Sequence, residues 1–213
     1  MRAIYHFQFS PFSRRTRLAL AHKKLAVELR DAREPAAREE AGKLVPFRTI
    51  PVLVDGELAL GDSTAITRYL DAAYPEAPPV WPRGEAAAEA LQVAALVDVV
   101  LDNVINLGTR YWALRGDAAW ESVKGETLGR ARDAAEALGQ RVAGRGGGTI
   151  AKAGWSGADM WVMALVLWFE SMAPRAATSP NIAQVMSLGL ELPRALTDWA
   201  KGHRDREDVK ALA

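Results

Sequence analysis

The chain has 213 residues, of which 49% are hydrophobic, a formal net charge of +1 and no cysteine. That length suits one large or two small domains with an ample core. The balanced charge gives no global field for nucleic acid or acidic membranes. The lack of cysteine excludes disulfides, zinc–cysteine sites and a cysteine nucleophile.

Ala3 to Phe9 is aromatic and β-rich, so a first strand is expected there. Ser10-Pro11 then reads as a helix start, with serine as the cap and proline where its missing N–H costs nothing. The helix runs to about Leu25 with apolar Leu18, Leu20 and Ala21 and with basic Arg14, Arg15, Arg17, Lys23 and Lys24, read as a solvated face. Leu25, Val27 and Leu29 alternate with Ala26 and Glu28, as in a strand. A polar, partly helical segment follows to Leu44.

Ile50 to Leu70, IPVLVDGELALGDSTAITRYL, is the most informative stretch. A proline heads an apolar run. Asp55-Gly56 marks a hairpin. Asp62-Ser63 opens a helix with Ile66, Tyr69, Leu70 and Ala73 at helical spacing. A proline, a hairpin and a polar helix start lie together, and a helix N-terminus suits a small anionic ligand.

Tyr74 to Gly84, YPEAPPVWPRG, holds four prolines and marks the domain boundary. The expected division is residues 1–76, a linker at 77–84, and residues 85–213. Beyond the linker the pattern is helical, from Glu85 to about Leu114 and from Trp120 to about Val142. Gly144 to Gly148 reads as a mobile loop. Ser156-Gly157-Ala158-Asp159 is a capping box before the apolar run Met160 to Phe169. Ten apolar residues indicate a buried helix, too short for a membrane span. The start, MRAIYHFQFS, is too polar for a signal peptide, so a cytoplasmic setting is expected.

The segment from Ile50 to Tyr74, with SPFSRRTRLAL at Ser10 to Leu20, resembles the cytosolic glutathione transferases, and in particular bacterial, serine-type members with an omega- or zeta-like N-terminal motif. The Ser156–Asp159 box and the tail Leu192 to Leu212, with Pro193, Leu196 and Trp199, are similar to that family's helical half. The resemblance implies a thioredoxin-like α/β domain followed by an all-α domain, usually paired as a homodimer. It implies glutathione as co-substrate, with no separate cofactor or metal, and a small electrophilic, largely apolar second substrate, as in detoxification.

The same resemblance assigns residues. Pro51 is the cis-proline, Ile50 offers its backbone to the cysteinyl part, and Asp62 and Ser63 hold the γ-glutamyl end. Phe12 and Arg48 border the site; the family often has glycine and lysine where Arg48 and Thr49 stand. Ser10 is the expected thiolate-stabilising residue, with Ser13 and Tyr5 as alternatives. Serine in place of cysteine favours thiolate stabilisation over a mixed disulfide. Lowering a thiol pKa from about 8.5 by two units requires roughly 2.7 kcal/mol of preference for the anion. A hydroxyl at a helix N-terminus can supply it.

In the helix after the linker, Asp98, Asp102, Asn106 and Arg110 recur every four residues. This stripe is either a solvated face or a lining of the cleft or dimer seam. Asn106, Arg110 and Tyr111 are the expected second-substrate residues, with Tyr111 and Trp112 equally suited to the core. His6, His22 and His203 have no metal spacing. An isomerase or peroxidase on the same site, and a non-catalytic glutathione- or ligand-binding module, are the rival functions.

Overall fold

The structure is a computed structural model and describes residues 1–152 and 154–212. Its first part runs β1 (Arg2–His6), α1 (Pro11–His22), β2 (Glu28–Asp31), α2 (Pro35–Leu44), β3 (Val52–Asp55), β4 (Leu58–Gly61) and α3 (Ser63–Ala73). The four strands form one sheet in the order β2-β1-β3-β4. β1 pairs with β2 in parallel and with β3 antiparallel, and β3 pairs antiparallel with β4. This is the βαβ-then-ββα order of a thioredoxin-like unit.

Strand periodicity sorts the sheet's two faces. Ile4 and Leu53 turn one way, into a core with Leu18 and Leu20 of α1 and Ile66 and Leu70 of α3. Tyr5 and Val52 turn the other way, onto Ala41 of α2 and its neighbours Ala32 and Val45.

Two strand boundaries differ from the sequence reading. β1 stops at His6, because the Ser10 N–H donates to the Phe7 carbonyl at 3.1 Å and closes a turn over Phe7 to Phe9. Leu25 belongs to the end of α1. Lys24 sits at φ 54°, and the Leu25 N–H reaches back to the Leu20 carbonyl at 2.9 Å. That is a Schellman-type cap, which uses Leu25 to cover the last turn.

The second part is α4 (Glu85–Leu114), α5 (Trp120–Ala143), α6 (Gly157–Ala176), α7 (Pro180–Ser187), α8 (Arg194–His203) and α9 (Glu207–Lys210). α4 is long and apolar enough to cross a membrane by length and composition. Here Val93, Val97, Val100 and Leu101 of α4 are buried in a common core with Ala134 and Leu138 of α5 and Val162 and Leu165 of α6. α6 begins as its capping box requires: the Asp159 carboxylate accepts from the Ser156 N–H at 3.0 Å and the Ile150 N–H at 2.8 Å. The tail, Leu192 to Leu212, holds two helices, α8 and α9. α7 follows a second Ser-Pro start at Ser179 that the sequence reading passed over. The glycine-rich loop is tied to α8, since Trp199 and His203 donate to the carbonyls of Gly148 and Gly147 at 2.9 and 3.1 Å.

The proline-rich linker is docked. Trp81 is 4% exposed. Its indole N–H donates to Thr67 Oγ1 at 3.0 Å, and its backbone N–H donates to Asp71 at 2.8 Å. The two parts therefore share one continuous core, with α1 packed between α3 and α6.

Candidate active site

The site forms where β3, α3 and the β1–α1 turn converge. The Ile50–Pro51 bond is cis, Pro51 is buried and Ile50 half-buried. β4 then carries the chain to Asp62, the cap of α3. Asp62 holds φ 70°, an unusual backbone value for a residue with a side chain. Its Oδ1 accepts from the N–H groups of Thr64 and Ala65, both at 2.9 Å. The rest of its carboxylate faces outward, for Asp62 is exposed. Ser63 beside it is 2% exposed.

A cavity of about 380 Å³ opens over this corner. Asp62, Ser63, Ile50 and Pro51 line one part, Phe7 and Phe12 another, and Arg38 and Arg48 contribute positive charge. Phe12, Arg48, Ile50, Pro51, Asp62 and Ser63, the residues that the sequence reading expected to bind glutathione, thus share one cavity, and Ser10, expected at the sulfur, is not among its lining residues. Arg38 was missed: it lies in the first turn of α2, a segment read only as polar and partly helical. Its signal was faint, a Glu34-Pro35 helix start placing an arginine three residues on.

Ser10 lies next door. It borders a smaller pocket of about 270 Å³ with Phe7, Gln8, Phe9, Arg33, Trp168 and Arg175. Phe7 is common to both cavities. Ser10 caps α1, and its Oγ accepts from the Ser13 N–H at 3.3 Å. Oγ acts there as an acceptor, so the Ser10 O–H remains available to donate outward.

The two alternatives to Ser10 are occupied elsewhere. Ser13 is fully buried, and its Oγ accepts from the Phe7 N–H at 3.2 Å. Tyr5 is also fully buried, on the α2 side of the sheet, and its hydroxyl accepts from Arg30 at 2.6 Å. Burial, followed by the bond to Glu40, raises the Tyr5 pKa, the wrong direction for a proton donor poised near neutrality.

The expected second-substrate trio lies away from both cavities. Asn106 and Arg110 are exposed on α4. Tyr111 packs in a satellite cluster with Val104, Leu107 and Leu128, its ring 5.6 Å from that of Trp120. The reason is rotation: residues every four positions drift around a helix with 3.6 residues per turn. Only the early members of the stripe reach the domain junction, where Asp98 meets Arg15. The basic run in α1 is likewise no solvated face, for Arg14, Arg15 and Arg17 are all buried.

The site's electrostatics follow. Burial, then Arg17 and Arg175, push the Arg14 guanidinium down to about 10. Burial, then Arg17, lowers His6. Burial raises Asp98 and Asp102 in spite of Arg15, and Asp62 adds to the rise. Among the described residues, no group of three or more histidine, aspartate or glutamate side chains is placed to hold a metal.

Residues 4–78 match the family model described as glutathione S-transferase, N-terminal domain. A probable maleylacetoacetate isomerase of Vibrio cholerae serotype O1 is 42% identical over 105 residues, or 46% of this chain. The match spans about half, 47%, of that relative's length. A probable glutathione S-transferase GSTU1 of Oryza sativa subsp. japonica is 29% identical over 208 residues, covering 88% of this chain and 87% of that protein. Among solved structures, a glutathione transferase family member from Pseudomonas fluorescens Pf-5 with bound glutathione superposes with a TM-score of 0.70 at 22% identity, over 99% of this chain and 98% of that one.

Proposed function

The chain belongs to the glutathione S-transferase family, and on that premise we propose that it is a cytoplasmic, homodimeric enzyme in which Ser10 ionises bound glutathione for attack on a small electrophile. The observation that carries this reading is the larger cavity. An acid and a helix N-terminus, Asp62 and Ser63, stand among its lining residues with two arginines, Arg38 and Arg48. Glutathione has the matching ends: an ammonium and carboxylate on its γ-glutamyl group, and a carboxylate on its glycine. The volume, about 380 Å³, lies within the roughly 300–1,000 Å³ of small-molecule sites.

The chemistry is thiolate generation plus proximity. Once its oxygen is held by the Ser13 N–H, the Ser10 hydroxyl can donate to sulfur. The positive end of α1 and the nearby arginines favour the anion. The thiolate then bonds to the electrophilic carbon as the leaving group departs. Asp62 receives the ammonium and Ser63 a carboxylate.

The likeness to a probable maleylacetoacetate isomerase supports a second reading on the same residues. There the thiolate adds reversibly and is expelled after bond rotation. One set of measurements tests both. Titration calorimetry with glutathione is expected to saturate below millimolar concentration, and steady-state conjugation of 1-chloro-2,4-dinitrobenzene is expected to depend on Ser10. Absence of heat at millimolar glutathione overturns both readings.

A further inference from the structure

Three basic side chains around α1 are buried together without a counter-charge. Arg14 and Arg17 are 8% and 7% exposed, and His6, at the end of β1, is 6% exposed. Nη1 of each arginine and Nδ1 of His6 are sealed from solvent and have no hydrogen-bond partner among the described residues. Arg14 and Arg17 stand three residues apart on α1, a spacing that sets Cβ atoms about 5–6 Å apart on one helix face. Strand alternation puts His6 on the same face of β1 as Ile4, which packs into a core with Leu18 of α1. The charge of Arg17 accordingly acts on both Arg14 and His6.

The surrounding charges do not balance these three. Asp31 acts on His6, but its carboxylate is bonded to Arg33. Glu170 acts on Arg14, but it is bonded to Arg204. Arg33 and Arg175 add further positive charge. Arg17 Nη2 donates to the Ala211 carbonyl at 3.1 Å, a neutral acceptor just past α9. Burial lowers Arg14 only to about 10, so it stays charged near neutrality.

Buried charges are ordinarily paired, because an unpaired one loses its hydration and gains no partner. Buried donors without acceptors mark a place for a water or an ion. A water would satisfy a donor and leave the charge; an anion satisfies both. Burial also sets the kind of anion. None of the three side chains lines either active-site cavity. An ion among them sits in the packed interior, where the cost of dehydration rises with the square of the charge and so favours a monovalent one.

We infer that His6, Arg14 and Arg17 form an internal site for one small monovalent anion, a halide such as chloride, with the two Nη1 groups as its donors. Through Nη2 of the same Arg17 the ion fastens the segment after α9 to α1, the helix that Ser10 caps.

The test uses the whole protein without glutathione, so its outcome is independent of the proposed activity. Crystals grown in sodium bromide are expected to give an anomalous peak in contact with Nη1 of Arg14 and of Arg17. Thermal unfolding at constant ionic strength, with gluconate replaced stepwise by chloride, is expected to show a saturating rise of about 4 °C or more. Arg17→Met is expected to abolish both the peak and the rise, and Arg14→Met to weaken both. Arg194→Met, at a side chain 90% exposed, is expected to leave them intact. A map without bromide at that position overturns the inference, as do equal melting temperatures in chloride and gluconate. A peak without chloride-dependent stability marks an adventitious ion only and overturns it too. A chloride response that survives Arg17→Met has the same consequence. The wild-type map and melting curves decide the matter even if an arginine variant fails to fold.

Discussion

The Arg15 guanidinium of α1 meets the Asp98 carboxylate of α4 at 2.6 Å across the junction of the two domains. The pair is lopsided: the Arg15 side chain is 1% exposed and the Asp98 side chain 36%. The Phe12 and Trp161 rings lie 5.0 and 4.7 Å from the guanidinium carbon. Removing the acid strands a cation that cannot reach water. Removing the cation strands an acid that can. Asp98→Asn is therefore expected to cost about 3 kcal/mol, and Arg15→Met, which keeps an apolar filling, about 1 kcal/mol. Urea unfolding measures both, and the reverse order would refute the asymmetry.

Ser10 and Ser13 are expected to separate cleanly. With Ser10→Ala the bound thiol pKa should return from about 6.5 towards 8.5, and kcat/KM at acidic pH should fall roughly a hundredfold. Ser13→Ala leaves the Phe7 N–H without its partner. It should lower stability by about 1–2 kcal/mol while the thiol pKa stays put. Thiolate absorbance against pH, beside thermal unfolding, reads the two effects. A thiol pKa that follows Ser13 would reassign the residue.

Asp62 combines helix capping with the proposed ammonium contact. Asp62→Asn keeps an oxygen for the Thr64 and Ala65 N–H groups and tolerates the positive φ. It should cost less than about 1 kcal/mol in stability yet weaken glutathione by about tenfold or more. Asp62→Ala should lose a further 1 kcal/mol or so of capping. Calorimetry beside denaturation tests the separation; an Asn variant with unchanged affinity would remove Asp62 from the binding site.

Gly157 is packed under the linker's tryptophan. A Cβ there would lie 2.9 Å from two carbons of the Trp81 ring. Thr67 holds that ring through its indole N–H, Asp71 holds the Trp81 backbone, and the Trp161 ring lies edge-on at 4.9 Å. With no room to retreat, Gly157→Ala should destabilise the protein by about 2 kcal/mol. An unchanged melting temperature would show that the linker is free to shift.

Asp55 should show a simple acid dependence. Burial alone would raise its pKa, but hydrogen bonds from Tyr74, Arg2 and Tyr69 and the Arg2 charge leave it below the usual aspartate value of 3.8. A lowered folded pKa means that the unfolded chain binds the proton first. The stabilisation is complete above pH 3.8 and is lost as pH falls through the lower folded value. The stability gap between wild type and Asp55→Asn should therefore narrow only in that acid window. A gap that closes at neutral pH would contradict the sign.

Sequence alone determined what depends on neighbours in the chain. Ser10-Pro11, Asp55-Gly56, Asp62-Ser63 and Ser156 to Asp159 were legible as a cap, a turn and two helix starts, because capping and turn chemistry act within three or four residues. Most of the corner proposed for the tripeptide was legible because Arg48 to Ser63 fall in one short stretch that resembles a known family. Tertiary structure decided what depends on distant surfaces meeting. It turned the basic run of α1 inward, paired Arg15 with Asp98, and carried Asn106, Arg110 and Tyr111 away from the cavities by helical drift. It also joined Phe9, Trp168 and Arg175 beside Ser10, from segments more than 150 residues apart. Burial and charge pairing across such separations are set by packing, and local spacing carries no record of them.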